Sequence, residues 1–189
     1  MEQLIENWKR FLVESSLSRL YGHIMDHESA ILSAFRSEYT NEENYERSRE
    51  LKAKILAKGY GVTKIDGSYI ENFETPEAIE VSEQSLFVSN QNDNGDFFEA
   101  IAGLGEEYKQ DAVLMIPIEG KEAYLVGTSE TNEYPPYGEQ ISVGSLKMGE
   151  ESEFMSRVKG RPFTFKEELQ TYDKLSRTAR WAVKKTADK

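Results

Sequence analysis

Cysteine is absent from this 189-residue sequence, and histidine occurs only twice. Without cysteine, disulfides, thiol nucleophiles and thiolate metal sites are excluded, which fits a protein of the reducing cytoplasm. The two histidines, His23 and His27, share one face if their segment is helical. A metal site there would need a third ligand. Two exposed polar histidines are therefore the favoured interpretation, and we expect no metal site.

Long apolar runs and an excess of basic residues are also missing. No run approaches the ~18 apolar residues of a membrane-spanning helix, and the N-terminus lacks a basic region followed by an apolar block. We therefore expect neither a membrane span nor a signal peptide. The net charge of −11 argues against nucleic acid as a partner, because phosphates would be repelled. A cationic ligand, a basic protein partner and solubility alone are all compatible with that charge.

Aromatic residues, by contrast, are plentiful: 9 Phe, 10 Tyr and 2 Trp are enough to build a core. An apolar run from Ala30 to Arg36 predicts a half-buried strand. Thr40 then begins a helix that runs to Lys58, because Glu43 has the capping-box spacing and Gly59 stands where a left-handed residue ends a helix. The buried face of this helix is predicted to consist of Tyr45, Ser48, Leu51, Ile55 and Leu56.

Shorter signals predict the remaining elements of the core. Tyr60 begins a second strand, Asp66-Gly67 predicts a turn or bulge within it, and the segment 72–80 is predicted to be loop. Asp96 and Glu99 have the spacing of a second capping box. The later elements are predicted as strand 85–88, helix 97–109, strand 112–116 and hairpin strand 123–126.

The order of these elements is strand, helix, strand, strand, helix, strand, with a hairpin strand added. It predicts an α+β protein with a ferredoxin-like βαββαβ sandwich, in which two helices cover one face of a four-stranded antiparallel sheet. The other face of such a sheet is open, and dimers or trimers often cover it. We therefore expect an oligomer.

Three parts of the chain are expected. Residues 1–27 are predicted to form an N-terminal helical extension, with an amphipathic helix at 2–15 and a second helical piece at 16–27. Residues 28–128 are the core domain. Residues 129–189 are a C-terminal extension with a Tyr134–Gly138 loop, short strands at 155–158 and 162–165, and a final amphipathic helix that begins near Leu169.

The residues with the best pattern for a chemical site are Tyr60, Tyr69 and Glu71. Positions 69 and 71 share one face of a strand, because side chains alternate with period two. An equally good interpretation from the pattern alone is that both tyrosines pack in the sheet and Glu71 is a carboxylate at its rim. A catalytic triad would have to use His23 or His27, which we do not expect.

Several short segments carry a resemblance to a known family. They are Ser33–Ser37, Asn44, Arg47, Tyr60-Gly61, Gly67–Glu71 and Gln110–Leu114. In these segments, over residues 30–126 or about half of the chain, the sequence resembles the phage-encoded S-adenosylmethionine lyases, long called S-adenosylmethionine hydrolases.

The resemblance implies an activity and an assembly. Members of that family are ferredoxin-like trimers that bind the ligand between subunits and use no cofactor. They cleave S-adenosylmethionine into methylthioadenosine and homoserine lactone, in a reaction where the carboxylate of the substrate displaces its own sulfonium leaving group. In a phage, such an enzyme removes the methyl donor of methylation-dependent host restriction, in the host cytoplasm.

The resemblance also implies site residues. Glu71 and Tyr60 occupy the positions of the catalytic carboxylate and tyrosine. The predicted substrate-binding residues are Tyr69, Ser33, Phe35, Arg36, Gln110 and Asp111. The alternative to an enzyme is a non-enzymatic phage accessory or virion protein, which binds a host or structural protein through its acidic surface and extra terminal segments.

Overall fold

A computed structural model describes residues 17–71, 79–131, 135–148, 154–158 and 161–166 of the chain. The predicted helix at 2–15 and the predicted final helix lie outside these residues. In the part of the chain that is described, no helix is long and apolar enough to cross a membrane.

The described chain is α+β. Helices are interspersed with the strands up to residue 116, and the later elements are strands apart from one 3-10 turn. Helix α1 covers residues 17–26. The other elements are β1 (Ser29–Ser33), α2 (Asn41–Ala57), β2 (Gly61–Glu71), β3 (Ile79–Ser89), α3 (Phe97–Glu107), β4 (Ala112–Ile116), a 3-10 turn (Ile118–Gly120), β5 (Ala123–Gly127), β6 (Gln140–Met148), β7 (Phe154–Val158) and β8 (Arg161–Lys166).

The strands form one strongly curled antiparallel sheet. Their order is β1-β3-β2-β7-β8-β6-β5-β4, and the sheet closes on itself because β1 also pairs with β4. At the centre of β1, Ala30 lies opposite Val88 on one side and Met115 on the other. The sheet is therefore antiparallel as predicted, but the expected four strands are only its first half.

Strand β6 is the element that the sequence did not predict. Its segment has a glycine at its centre, Gly144, which adopts φ +85° and pairs with Ala123 where the β5–β6 register shifts. Such a residue weakens a strand pattern, and pairing with β5 and β8 compensates for it. The short strands predicted at 155–158 and 162–165 are confirmed as β7 and β8.

Helices α2 and α3 lie on the same face of the sheet, as predicted. Leu51 and Ile55 of α2 and Ile101 of α3 are buried in one cluster with alternate residues of the strands. The strand residues of this cluster are Ala30, Leu32, Leu86, Val88, Val113 and Met115.

The opposite face is covered within the same chain, which corrects the expectation that it is open. Leu17, Leu20 and Ile24 of α1 form a second buried cluster with side chains that line the inside of the closed sheet. Those side chains are Ile31, Ile65, Phe87, Ile116, Ala123 and Phe163. The sequence prediction treated both terminal segments as extensions, so it left this face without a partner.

Local predictions for α2 were correct at its ends and for most of its buried face. Thr40 and Glu43 form the predicted capping box, and Gly59 adopts φ +84°. Ser48, Leu51 and Ile55 are buried as predicted, whereas Tyr45 and Leu56 are 49% and 51% exposed. Asn44 is buried in addition, because its amide bonds to backbone groups of the loop before the helix.

Two turn predictions were wrong. Strand β2 runs without a break through Asp66-Gly67, which pair in register with Gln84 and Glu83. Residues 79 and 80, the end of the predicted loop, are therefore strand, and so are residues 81–84, which carried no prediction. The long β2–β3 hairpin overrides the local turn signal. The second capping box is also absent, because the Asp96 side chain makes no cap hydrogen bond.

Candidate functional site

The loop that follows β1 is held by hydrogen bonds from side chains. Ser33 Oγ donates to the Gln84 carbonyl at 2.8 Å and accepts from the Phe35 amide at 3.1 Å. Asn44 closes the next turn, because its Oδ1 accepts from the Arg36 amide and its Nδ2 donates to the Arg36 carbonyl, both at 2.9 Å. These bonds place the side chains of Phe35 and Arg36 at the end of the sheet.

Arg47 of α2 ties the same loop to the end of α3. Its Nε donates to the Ala34 carbonyl and its Nη2 to the Tyr108 carbonyl, each at 2.9 Å. Its guanidinium also lies 4.4 Å from the centroid of the Tyr39 ring. A planar group with several fixed donors can join two backbone segments in this way, whereas a lysine cannot.

The segment Gln110-Asp111, which leads into β4, meets the loop from the other side. Gln110 Nε2 donates to the Phe35 carbonyl at 3.3 Å, and Asp111 Oδ1 accepts from Arg36 Nη1 at 3.0 Å. Arg36 Nε also donates to Glu38 Oε1 at 3.3 Å. Partial burial alone would lower the pKa of Arg36, but its bonds to these two carboxylates raise it. The guanidinium therefore stays charged.

An aromatic pair lies beside this cluster. The Phe35 ring meets the exposed Tyr45 ring edge to face, with centroids 5.3 Å apart. Tyr45 also lines an open pocket of about 540 Å³, together with Glu42, Arg49 and Lys64. Its volume falls in the range of small-molecule sites.

A polar group lies on the inner side of the sheet at the same end. Ser33 and Ser85 are opposite each other in the β1–β3 register, and both are buried. Glu83 comes two residues earlier on β3, opposite Gly67. Burial raises the pKa of the Glu83 carboxyl, and the nearby Arg36 only partly offsets this. Sequence analysis did not identify Glu83, because it lies between the predicted loop at 72–80 and the predicted strand at 85–88.

The two residues predicted to be catalytic lie at opposite ends of β2. Tyr60 precedes the strand, is 4% exposed and packs edge to face on Phe97 with centroids 5.0 Å apart. Burial raises the pKa of its hydroxyl, as does the nearby Asp96. Glu71 is the last residue of β2. At about 3.3 Å per residue, roughly 36 Å separates them along the strand.

Of the eight predicted site residues, the structure brings five together. Tyr69 and Glu71 have described backbone positions, opposite Val81 and Ile79, in the distant half of the β2–β3 hairpin. The five that meet around one loop are Ser33, Phe35, Arg36, Gln110 and Asp111. Tyr60 does not join them.

The two histidines lie at the other end of the sheet from this cluster. The ring centroids of His23 and His27 are 6.2 Å apart, and His27 Nδ1 is 3.4 Å from Asp93 Oδ1. Among the described residues, no three His, Asp or Glu side chains are grouped as metal ligands would be.

Comparisons with known proteins bear on the family of the chain. Among curated proteins, no significant relative is found. The model of the S-adenosylmethionine lyase family matches residues 30–184. This match covers more than the segments that carried the resemblance in the sequence, and it includes β5 to β8 as well as the Arg36 cluster. Because it spans most of the chain, the protein belongs to the S-adenosylmethionine lyase family.

Proposed function

We propose that this protein cleaves S-adenosylmethionine into methylthioadenosine and homoserine lactone. Membership in the family implies a carbon–sulfur lyase with S-adenosylmethionine as its substrate. In the proposed reaction, the substrate carboxylate attacks its own γ-carbon, the bond from that carbon to sulfur breaks, and the sulfur keeps the electron pair as a neutral thioether. The enzyme need supply no nucleophile, only a geometry in which the carboxylate reaches the carbon.

The observation that supports this proposal best is the cluster around Arg36 in a chain of this family. Two loops meet there, and side-chain bonds from Ser33, Asn44 and Arg47 fix the first of them. A guanidinium and carboxylates at one place suit a substrate that carries a carboxylate, an ammonium and a sulfonium. To hold the substrate in a reactive conformation, the groups that bind it must themselves be held rigidly.

We also propose that β1 to β4, with α2 and α3, form a ferredoxin-like unit within residues 28–128, which the later strands extend. The strand order β4-β1-β3-β2, with a helix in each crossover, supports this. A segment of the family match continues beyond this unit to residue 184. The C-terminal strands therefore contribute to the fold of the whole protein.

The resemblance favours a homo-oligomer of three copies, in which Tyr60 and Glu71 of different copies would serve one site. Residues at opposite ends of β2 can serve one site only if different copies provide them. Light scattering at micromolar concentration should give a mass near three times the 21.6 kDa of the chain. A single species of 21.6 kDa would contradict the proposal that both residues act together.

The test of activity is incubation of the purified protein with S-adenosylmethionine, followed by chromatography for methylthioadenosine and homoserine lactone. Glu71→Gln should slow the reaction on the order of 30- to 1,000-fold, because one charged contact to a cationic substrate is lost. Glu122→Gln is the matched control, since Glu122 is exposed just before β5. Equal rates for wild type and Glu71→Gln would remove Glu71 from the site.

The proposed biological role is to deplete the methyl donor of a host whose defences depend on methylation, within the host cytoplasm. If the wild-type protein consumes no S-adenosylmethionine, the lyase proposal fails. The non-enzymatic accessory or virion protein then becomes the better account of the same fold.

A further inference from the structure

The inside of the closed sheet changes from apolar to polar toward the Arg36 cluster. On β3, Leu86 and Val88 pack under the helices, whereas Phe87 lies in the interior cluster. Side chains alternate along the strand, so Ser85 and Glu83 lie on the same side as Phe87. The interior therefore ends in a buried serine and a half-buried carboxylate.

Small residues surround Glu83 on this side of the sheet. Gly67 lies opposite it on β2, and a Cβ added to Gly67 would be 2.6 Å from Ser85 Oγ. The glycine thus lets the Ser85 hydroxyl lie close to the backbone of β2. Ser33, opposite Ser85, turns its own hydroxyl to the Gln84 carbonyl. These three positions therefore carry only small side chains on the same side of the sheet as the Glu83 carboxylate.

Glu83 is near the guanidinium of Arg36, which forms its hydrogen bonds with other carboxylates. The loop that carries Arg36 begins beside Glu83, because Ser33 Oγ donates to the carbonyl of the adjacent Gln84. The Arg36 guanidinium itself donates to Asp111 and Glu38. Among the described residues, no charged side chain donates directly to Glu83. A carboxylate removed from water in this way is costly to keep, and such groups are frequent at functional sites. A ligand with a positive group would offset that cost.

We infer that Glu83 and Arg36 form a subsite for the amino-acid end of the substrate, with Glu83 contacting its ammonium and Arg36 its carboxylate. This inference rests on the proposed function and specifies which part of S-adenosylmethionine this site binds. Glu38 is the group that the substrate carboxylate replaces on Arg36. It is about half exposed and bonds at 3.3 Å, so the exchange costs little.

Two stable nucleosides separate this role from other roles of the site. S-adenosylhomocysteine keeps the amino-acid end but has no sulfonium, and methylthioadenosine lacks the amino-acid end. Titration calorimetry with Glu83→Gln should show S-adenosylhomocysteine binding weakened roughly 10- to 100-fold and methylthioadenosine binding unchanged. Arg36→Gln should show the same pattern. Glu122→Gln is again the control for a lost surface charge.

Other outcomes overturn the inference. Equal weakening for both nucleosides would place Glu83 elsewhere along the ligand, and no weakening would remove it from the site. If Glu83→Gln weakens only S-adenosylmethionine, Glu83 faces the sulfonium instead. If the wild-type protein shows this binding pattern but does not cleave S-adenosylmethionine, the subsite is supported and the lyase proposal is refuted. A wild type that binds neither nucleoside would refute the subsite.

The stability of Glu83→Gln gives an independent check that needs no activity. If the carboxylate is kept for a ligand, its neutral isostere should unfold at an equal or higher urea concentration than wild type. A lower midpoint would show that Glu83 stabilises the fold itself. Arg36→Gln then carries the binding test in its place.

Discussion

The guanidinium of Arg47 lies over the ring of Tyr39, with its central carbon 4.4 Å from the ring centroid. The same group donates to the Ala34 and Tyr108 carbonyls, so it joins the loop after β1 to the end of α3. Its hydrogen bonds go to backbone carbonyls, and its ring contacts are with Tyr39 and Tyr108. Arg47 therefore acts as a positioning residue for the loop that carries Phe35 and Arg36.

Replacing Arg47 by lysine should destabilise the protein by about 1–3 kcal/mol, because a lysine cannot make both backbone bonds and stack on the ring. Urea denaturation measures this, and amide hydrogen exchange should show faster exchange at the Arg36 amide. Arg49→Lys is the matched control on the same helix, since Arg49 has only a 3.4 Å bond to the Tyr45 carbonyl. Equal stability of the two variants would contradict the role given to Arg47.

Two glycines of α3 should respond in opposite ways to alanine. A Cβ at Gly105 would be 2.6 Å from Val113 Cγ1 and 3.0 Å from Thr128 Cγ2, whereas nothing lies within 4 Å of one at Gly103. Gly105→Ala should cost about 1–3 kcal/mol through overpacking. Gly103→Ala should stabilise by about 0.5–1 kcal/mol through helix propensity. Denaturation midpoints that shift in the same direction for both would show that α3 is placed differently.

Helix α1 should contribute strongly to stability through its inner face. Ile24 is completely buried in the interior cluster, while Tyr21 on the same helix is 43% exposed. Ile24→Ala should cost about 2–5 kcal/mol, from lost apolar burial and the cavity left behind. Tyr21→Ala should change the free energy of unfolding much less. If Ile24→Ala unfolds at the wild-type urea concentration, the segment 17–26 does not fill the closed sheet.

The capping box of α2 should make stability depend on pH. Glu43 accepts hydrogen bonds from the backbone amide and the hydroxyl of Thr40, and these bonds lower the pKa of its carboxyl. A lowered folded pKa stabilises the protein above the unfolded pKa, and this contribution is lost as the pH falls through the folded pKa. Glu43→Gln should therefore unfold more easily than wild type at pH 7, and the difference should shrink in acid.

Urea titrations of both proteins at about pH 7 and pH 3 measure that difference. Glu46→Gln, one turn further along the exposed side of α2, is the control. Thr40→Ala should cost about 1 kcal/mol at neutral pH, since it removes the other half of the box. A Glu43→Gln penalty that persists unchanged at pH 3 would mean that the charge of Glu43 is not its source.

Features of the fold that depend on local signals were predictable from the sequence. The Thr40 and Glu43 spacing and Gly59 mark the ends of α2, and the apolar run at 30–33 is strand β1. Features that depend on distant partners were not predictable. Strand β6 and the continuation of β2 through Gly67 exist because neighbouring strands pair with them.

The residues of the candidate site also divide into those that the sequence predicted and those that only the structure reveals. The resemblance pointed to Arg36, Gln110 and Asp111, which are far apart in sequence but lie together in the structure. Glu83 carried no signal, because its environment comes from Gly67 and Ser85 on the paired strands. The exposure of Tyr45 was missed for a related reason: its neighbour Asn44 is the buried residue, through hydrogen bonds to the loop before the helix.

The position of β7 and β8 between β2 and β6 has a consequence for how the protein is made. On the ribosome, β1 to β6 are synthesised before the hairpin that separates β2 from β6 in the sheet. Until that hairpin emerges, two strands present unpaired edges on which other chains can assemble. Closure of the sheet is then the last step of folding. A truncation before residue 154 should aggregate during synthesis even though the Arg36 cluster is already complete.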